Sequence, residues 1–238
     1  MKDEVCELWS GGPRFVQGPS FALGTDSVLL GDFARPGRAE TGVDLGCGSG
    51  ILTLLLLEKS DRLHMTGLEI NPRAADAARE NLALNGWEER AGIVTGDIRD
   101  ASALFRAGAF ALAIANPPYF PEGSGARSPD PERCAARSEE TLSLDELCEA
   151  AERLLRTGGR FFLVHRCERL GEVFVSLAGH GMEPKRLRLV QSGIESAPGL
   201  CLIEARRGAA PGLVIEPPLL LRGPDGAESE EIRRIYHR

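Results

Sequence analysis

The stretch Asp44-Leu45-Gly46-Cys47-Gly48-Ser49-Gly50 decides the fold, because it sets three glycines between a buried apolar segment and a helix. The segment Val43-Asp44-Leu45 is typical of the end of a buried strand, and an apolar helix is predicted from residue 50 to residue 58. Glycines allow the backbone to turn sharply between these elements and to approach a bound ligand closely. A strand, a glycine turn and a helix in this order predict an α/β sheet with a ligand site at the turn.

Short apolar runs alternate with helix-like stretches beyond this turn. This alternation predicts a mostly parallel, seven-stranded central sheet covered by helices on both faces. The further strands are predicted at residues 64–69, 91–95, 109–115, 160–165, 185–190 and 200–205. Helices are predicted at residues 72–85, 144–156 and 168–178. Pro72 opens the first of these helices and Gly86 ends it, while Ser143 caps the second and Gly158-Gly159 end it.

Residues 1–35 are interpreted as an N-terminal extension of a single domain that spans residues 1–238. In this extension Gly11-Gly12 predicts a hairpin turn, and Thr25 or Asp26 is expected to cap a helix over residues 27–33. The stretch 121–141 is rich in proline, glycine, serine and arginine, and a loop of this length in a compact domain is usually functional or disordered.

Composition and charge exclude several classes of protein. The chain has 238 residues, and none of its apolar runs approaches the roughly 20 residues that span a bilayer, so no membrane segment is expected. The first residues are charged and lack the apolar core of a signal peptide, and the 6 cysteines form no metal-ligand or disulfide pattern. A cytoplasmic protein without a bound metal is therefore predicted. The formal net charge of -7 means that any nucleic acid must be bound by a local basic patch.

The glycine turn differs from the dinucleotide fingerprint GxGxxG, because its third glycine comes one residue early and Asp44 precedes the first. A carboxylate there repels a pyrophosphate. It suits S-adenosylmethionine (SAM), which carries a sulfonium and an ammonium group and has no phosphate. Glu69, at the end of the second strand, is placed to accept hydrogen bonds from the ribose hydroxyls of SAM. Asp97, after the third strand, is placed to accept a hydrogen bond from the adenine amine. A NAD-dependent oxidoreductase is disfavoured. The predicted cofactor site comprises three acids and three glycines: Asp44, Glu69, Asp97, Gly46, Gly48 and Gly50.

The fourth strand is followed by the turn Asn116-Pro117-Pro118-Tyr119, at the sheet edge where ligand chemistry is expected. The prolines stiffen this turn and leave carbonyl acceptors exposed. The Asn116 side-chain oxygen and the Pro117 carbonyl form a pair of acceptors that suits an NH₂ group on a planar ring or a carbonyl. Such a nitrogen is a poor nucleophile, so holding its hydrogens favours a geometry in which its lone pair points at the sulfonium methyl. Asn116, Pro117 and Tyr119 are therefore predicted as catalytic residues, with Tyr119 stacking on the acceptor.

The glycine turn and the turn at residues 116–119 together resemble the SAM-dependent amino-methyltransferases with an NPPY motif. The chain is similar in particular to the bacterial tRNA1(Val) adenine-N6 methyltransferases, which modify the purine immediately 3′ of the anticodon. Segments 24–31, 136–137, 221–226 and 229–230 carry this narrower resemblance. One position departs from the pattern, since Ser138 stands where some relatives have a histidine.

This resemblance implies a Rossmann-like class I methyltransferase fold and N6-methylation of an adenine in tRNA, with S-adenosyl-L-homocysteine as the second product. The expected position is adenine-37 of tRNA1(Val). Further SAM contacts are implied at Gly24, Thr25, Asp26 and Asn116. The RNA is expected to meet positive charge in the long loop, next to the acceptor pocket, at Arg127, Arg133 and Arg137. Two other basic clusters, at residues 185–188 and 206–207, are interpreted as ordinary surface charges.

Two alternatives to this function remain open on the sequence alone. A protein glutamine-N5 methyltransferase acting on release factors also uses the NPPY turn. Such enzymes usually carry a helical N-terminal domain, for which the residues before the glycine turn leave little room. The second alternative is a non-catalytic SAM- or RNA-binding module, against which the intact Asn116 turn argues. A DNA adenine methyltransferase would need a target-recognition domain, and the chain has no room for one.

Overall fold

The computed structural model describes residues 4–17, 23–117 and 142–237, and a mixed sheet of nine strands forms their centre. Its seven longer strands are β3 (Thr41–Leu45), β4 (His64–Glu69), β5 (Ala91–Thr95), β6 (Phe110–Ala115), β7 (Leu155–Arg166), β8 (Met182–Gln191) and β9 (Pro198–Arg207). Two short strands, β10 (Val214–Ile215) and β11 (Leu219–Leu220), pair with β8. A separate antiparallel hairpin precedes the sheet and consists of β1 (Glu4–Glu7) and β2 (Arg14–Gln17).

The strand order is β10-β8-β9-β7-β6-β3-β4-β5. The strands from β7 to β5 in this order are parallel, and β9 runs antiparallel to both of its neighbours. The chain order reverses at β3, which has β4 on one side and β6 on the other, and open α/β sheets bind ligands at such a switch point. The predicted mostly parallel sheet is confirmed, but it has nine strands and not seven, because the short strands β10 and β11 were not predicted.

Helices pack on both faces of the sheet, as the alternating pattern predicts. The described residues form α1 (Thr25–Phe33), α2 (Ile51–Glu58), α3 (Pro72–Leu84), α4 (Ala101–Leu104), α5 (Leu144–Leu154), α6 (Leu170–Gly179) and α7 (Glu230–Ile235). Buried side chains of α1, α2, α3 and α7 join one hydrophobic cluster. Those of α4, α5 and α6 join a second cluster on the other face. None of the helices in the described part of the chain is long and apolar enough to cross a bilayer.

Capping residues set several helix ends where the sequence predicts them. The Asn71 side chain accepts hydrogen bonds from the amides of Arg73 and Ala74, so α3 begins at Pro72. Gly86 follows this helix with a φ of 67°, which satisfies the left-handed position after the C-cap. Ser143 caps α5 through a reciprocal pair of bonds with Glu146.

Three helix boundaries lie two residues from their predicted positions. The helix expected to reach residue 156 ends at Leu154, because Leu155 already pairs with Phe110 of β6, so Gly158-Gly159 lie within β7 and do not end α5. The first helix begins at Thr25, with Gly24 as an N-cap that makes no side-chain bond, so neither Thr25 nor Asp26 caps it. The helix expected from residue 168 begins at Leu170, because residues 167–169 form a 3₁₀ turn.

The N-terminal hairpin is held against α3 by two asparagine side chains. Asn85 accepts a hydrogen bond of 2.8 Å from the Arg14 amide, and Asn81 accepts one of 2.7 Å from the Val16 amide. Asn81 also donates to the Ser49 carbonyl in the glycine turn at 2.9 Å. The hairpin predicted at Gly11-Gly12 is confirmed, and α3 connects it to the ligand-binding turn.

Candidate functional site

The carboxyl ends of β3, β4, β5 and β6 meet along one edge of the sheet, on both sides of the switch point. Asp44 of β3 lies in register with Gly67 of β4 and with Ile114 of β6. The predicted polar side chains therefore follow neighbouring strands at this edge: Asp44, Glu69, Asp97 and Asn116. The start of α1, which carries Gly24, Thr25 and Asp26, is tied to the same edge by Ser27, whose hydroxyl accepts a hydrogen bond from the Asn116 side chain.

The glycine turn has a backbone that glycine adopts without strain. The φ angles of Gly46, Gly48 and Gly50 are 74°, 55° and 83°, all in the left-handed region. The amides of Gly46 and Cys47 donate to the carbonyl of Leu68, which ties the turn to the end of β4. A Cβ atom at Gly48 would have no heavy atom within 4 Å, so this side of the turn is open and the positive φ is the reason for glycine there.

Asp44 is completely buried and only half satisfied. Its Oδ2 atom accepts a hydrogen bond of 2.8 Å from the Thr53 hydroxyl of α2. Its Oδ1 atom has no hydrogen-bond partner among the described residues. The pKa of Asp44 is raised to about 7, mainly by burial. Two hydrogen bonds from Thr53 lower this pKa, and the nearby Glu69 carboxylate raises it. An unpaired buried carboxylate oxygen at a ligand-binding edge is suited to a cationic partner.

Glu69 connects the glycine turn to the start of α3. Its Oε2 atom accepts a hydrogen bond of 2.8 Å from the Gly48 amide, and its Oε1 atom accepts one of 2.8 Å from the Asn71 amide. Each carboxylate oxygen can accept more than one hydrogen bond, so hydroxyl groups of a ligand can still bind there. The next residue, Ile70, is 55% exposed although it is large and apolar. Ile70 was not among the predicted site residues, and its position directly after Glu69 is the signal that could have indicated it.

Asp97 has a partner that the sequence analysis did not anticipate. Its Oδ1 atom accepts from the Arg99 amide at 2.8 Å, and its Oδ2 atom forms an ion pair with the Arg99 guanidinium at 2.6 Å. The hydrogen bonds from the Arg99 side chain, above all, hold the pKa of Asp97 below its ordinary value. Asp97 is therefore an ionised acceptor, shared with an arginine, at the end of the site next to β5.

Asn116 lies at the carboxyl end of β6, where the NPPY turn begins. Its Nδ2 atom donates a hydrogen bond of 2.9 Å to the Ser27 hydroxyl, which belongs to the first turn of α1. This contact joins residues 89 positions apart in the sequence. Ser27 is a second site residue that the sequence analysis missed. Pro117 is the last residue described before the loop, and Pro118 and Tyr119 lie outside the described residues.

The predicted RNA-binding arginines of the long loop lie outside the described residues, as does Ser138: Arg127, Arg133 and Arg137. The two arginines of β8 lie within the described residues, and both form ion pairs with acids of this chain. Arg186 bonds Glu204 at 2.7 Å and Glu216 at 2.8 Å, and Arg188 bonds Glu231 at 2.7 Å. These ion pairs correct the interpretation of residues 185–188 as ordinary surface charges, because the Arg186 and Arg188 side chains are each only 15% exposed and are paired with acids of the same domain.

A family model described as a methyltransferase small domain matches residues 23–173, from the residue before Gly24 to the middle of α6. The chain belongs to the methyltransferase small domain family. In this methyltransferase the matched residues include the whole carboxyl edge of the site, from Ser27 to Asn116. The segment that continues from β8 to α7 lies beyond the match.

Named relatives of this methyltransferase share most of its length. A Porphyromonas gingivalis protein named tRNA1(Val) (adenine(37)-N6)-methyltransferase is 35% identical over 195 residues, which are 79% of this chain and 76% of the relative. Proteins of the same name from Tolumonas auensis and Cronobacter sakazakii are 35% and 34% identical. Those alignments cover 88% and 85% of this chain, and 80% and 81% of the relatives. The family membership predicted from the sequence motifs is confirmed.

Solved structures share the fold of this methyltransferase. A predicted O-methyltransferase from Agrobacterium tumefaciens superimposes with a TM-score of 0.72 at 17% identity, over 90% of this chain and 96% of that one. The precorrin-6y C5,15-methyltransferase of Geobacter metallireducens superimposes with a TM-score of 0.55 at 16% identity, over 81% of this chain and 94% of that one. Identities this low support the fold alone, and the predicted Rossmann-like class I methyltransferase fold is confirmed.

Proposed function

We propose that this methyltransferase transfers the methyl group of SAM to the exocyclic N6 nitrogen of an adenine in tRNA, and that this adenine is position 37 of tRNA1(Val). The names of relatives that align with most of the chain support the substrate. The observation that carries the proposal is the position of Asn116 at the carboxyl edge of the sheet, two strand ends away from Glu69 and next to Asp44.

The residues of the edge fit SAM. Bound SAM supplies a methyl group activated by a positive sulfonium. Asp44 offers its unpaired Oδ1 atom to the cationic end of the cofactor, and Glu69 accepts from the ribose hydroxyls. The exposed Ile70 side chain packs against the adenine ring, and Asp97 accepts from the adenine amine. The remaining proposed contacts lie in the glycine turn and at the start of α1: Gly46, Gly48, Gly50, Gly24, Thr25 and Asp26.

Asn116 and Pro117 hold the acceptor nitrogen. The Oδ1 atom of Asn116 and the carbonyl of Pro117 accept the two hydrogens of the adenine amine, so that its lone pair points at the methyl carbon. The nitrogen forms a bond to that carbon as the carbon–sulfur bond breaks, and one N–H proton then passes to solvent. No strong base is required, because positioning and hydrogen bonding supply most of the rate. Tyr119 stacks on the flipped-out adenine.

A local basic patch in the loop binds the RNA. The chain carries a formal net charge of -7, so attraction to tRNA depends on where its cations lie. Arg127, Arg133 and Arg137 follow the acceptor turn in the sequence, and we assign the RNA contact to them. A tRNA substrate also implies that the enzyme works in the cytoplasm.

Radiolabelled SAM tests this function directly. The wild-type chain is incubated with bulk tRNA, a release factor and duplex DNA in separate reactions, and labelled RNA is digested to nucleosides. We expect label in tRNA, as N6-methyladenosine, and none in an otherwise identical reaction with Asn116→Ala. Label in the release factor alone would show a glutamine methyltransferase instead, and label in no substrate would indicate a binding module.

A further inference from the structure

We propose that Ser27 is a positioning residue that holds the Asn116 carboxamide in place for the methyl acceptor. This inference rests on the proposed function, because it assigns a role to Asn116 in holding an amine. The α1 segment would then have a task besides contacting the cofactor: its first turn would orient the catalytic amide. Ser27 lies among the residues of α1 that follow Gly24, Thr25 and Asp26.

A carboxamide has two chemically different ends. The Nδ2 end donates hydrogen bonds and the Oδ1 end accepts them, so only the Oδ1 end can hold an NH₂ group. The Asn116 Nδ2 atom donates to the Ser27 hydroxyl at 2.9 Å, which directs the Oδ1 atom away from α1. A serine hydroxyl can pair with either end of an amide, so Ser27 holds the carboxamide in place. The NH₂ group of the acceptor selects the Oδ1 end, because two facing NH₂ groups would repel each other.

The helix that carries Ser27 is held firmly enough to act as a support. Lys59 of α2 donates to the carbonyls of Gly31 and Asp32, at 2.6 Å and 2.7 Å, at the end of α1. A Cβ atom at Gly31 would lie 2.5 Å from a methyl carbon of Leu55, so α1 and α2 approach as closely as glycine allows. Three consecutive residues of α1 after Ser27 are buried in the core: Val28, Leu29 and Leu30.

Phe33 fixes the far end of the same helix. Its ring packs edge to face with Phe162 of β7 at a centroid distance of 6.4 Å, and the Arg186 guanidinium lies 4.2 Å from its centroid on the other side. A hydroxyl on a helix packed in this way is held in a fixed position. Groups held by packed elements maintain catalytic geometry better than groups on loops.

The experiment compares wild type with Ser27→Ala, Ser27→Thr and the control Ser102→Ala, which removes an exposed hydroxyl from α4. Single-turnover methyl transfer to tRNA is measured at saturating SAM, and SAM affinity is measured by calorimetry. We expect Ser27→Ala to slow transfer about 5- to 10-fold, which is the loss of one neutral hydrogen bond, and to leave the Kd for SAM within about twofold. Ser27→Thr retains the hydroxyl and should recover most of the rate.

A spectroscopic readout tests the contact without cofactor or RNA. The Asn116 side-chain amide is assigned in ¹⁵N–¹H spectra by its disappearance in Asn116→Asp. Its proton shifts should move upfield in Ser27→Ala, because Nδ2 loses the Ser27 hydroxyl as an acceptor, and should stay in place in Ser102→Ala. Unchanged Asn116 shifts would show that the hydroxyl does not accept from Nδ2 and would overturn the proposal.

Two kinetic results would also overturn it. A wild-type transfer rate in Ser27→Ala would show that the Asn116 orientation does not depend on Ser27. A loss of SAM affinity equal to the loss of rate would make Ser27 a cofactor contact. Failure of the proposed function is distinguishable, because it appears as missing N6-methyladenosine with the wild-type enzyme, before any variant is compared.

Discussion

Replacing Asp44 by asparagine should stabilise the chain at alkaline pH while it weakens SAM binding. Asp44 is buried with one oxygen unpaired, and its pKa is raised from 3.8 to about 7, chiefly by burial. An acid whose pKa is higher in the folded than in the unfolded chain binds protons preferentially in the folded state. Its contribution to stability is therefore complete below pH 3.8 and is lost as the pH rises through about 7. The full loss corresponds to about 4 kcal/mol of unfolding free energy.

The measurement is urea unfolding of wild type and Asp44→Asn without cofactor, at several values between pH 5 and pH 8. Asparagine has the shape of aspartate but does not ionise. The difference in free energy of unfolding, variant minus wild type, should therefore increase by about 2–3 kcal/mol from pH 5 to pH 8. Comparing the two proteins at each pH cancels the titration of every other group. The control is Asp61→Asn, which alters an exposed carboxylate and should give a difference that does not depend on pH.

The same substitution should weaken SAM binding at least tenfold at pH 8, because the ionised Asp44 carboxylate is the proposed partner of the cationic end of the cofactor. Opposite effects on stability and on binding are what a residue retained for function produces. The reasoning is refuted if Asp44→Asn destabilises the chain equally at all pH values, or if it leaves the affinity for SAM unchanged.

Three further substitutions test other parts of the site. Thr53→Val removes the hydroxyl that lowers the pKa of Asp44, so the pH at which SAM affinity is half-maximal should move upward in calorimetric titrations, whereas Thr53→Ser should behave as wild type. Asn116→Ala should bind SAM within about threefold of wild type and lose 10²- to 10⁴-fold in single-turnover methyl transfer, and near-normal turnover would remove Asn116 from the chemistry. Alanine at each loop arginine should lower the slope of log affinity for tRNA against log salt by about 1, and an unchanged slope would exclude that arginine from the RNA contact.

The parts of the fold that were predicted to within one residue include an element with local chemical signals at both of its ends. The strands at residues 64–69 and 91–95 were predicted with their observed bounds. Helix α3 has an Asn71 cap, a proline at its first position and Gly86 after its end, and each of these acts through neighbouring backbone atoms. Such signals depend on a few adjacent residues, so sequence alone is sufficient to locate them.

Boundaries that depend on distant partners could not be located in this way. Leu154 and Leu155 are equally buried and equally good helix formers, but Leu155 leaves the helix because Phe110 of β6 offers it a backbone partner. The strands β10 and β11 have two residues each, too few for a periodic pattern, and exist because β8 has a free edge. Tertiary pairing decides both features.

The site was predicted as a set of residues but not as a set of contacts. The alternation of strands and turns was enough to bring Asp44, Glu69 and Asn116 to one edge of the sheet. The pairing of Asp97 with Arg99 and the bond between Asn116 and Ser27 depend on side-chain directions, which residue spacing does not report. Those two contacts are also where the structure changes the chemistry expected of the site.

A crystal structure of the chain with bound S-adenosyl-L-homocysteine tests the central claim most directly. The account predicts that the amino group of this product lies beside Asp44 Oδ1, that its ribose hydroxyls lie at Glu69, and that its sulfur faces the Asn116 side chain. A product molecule bound at another edge of the sheet would contradict the account, and so would an Asn116 carboxamide that points away from the sulfur.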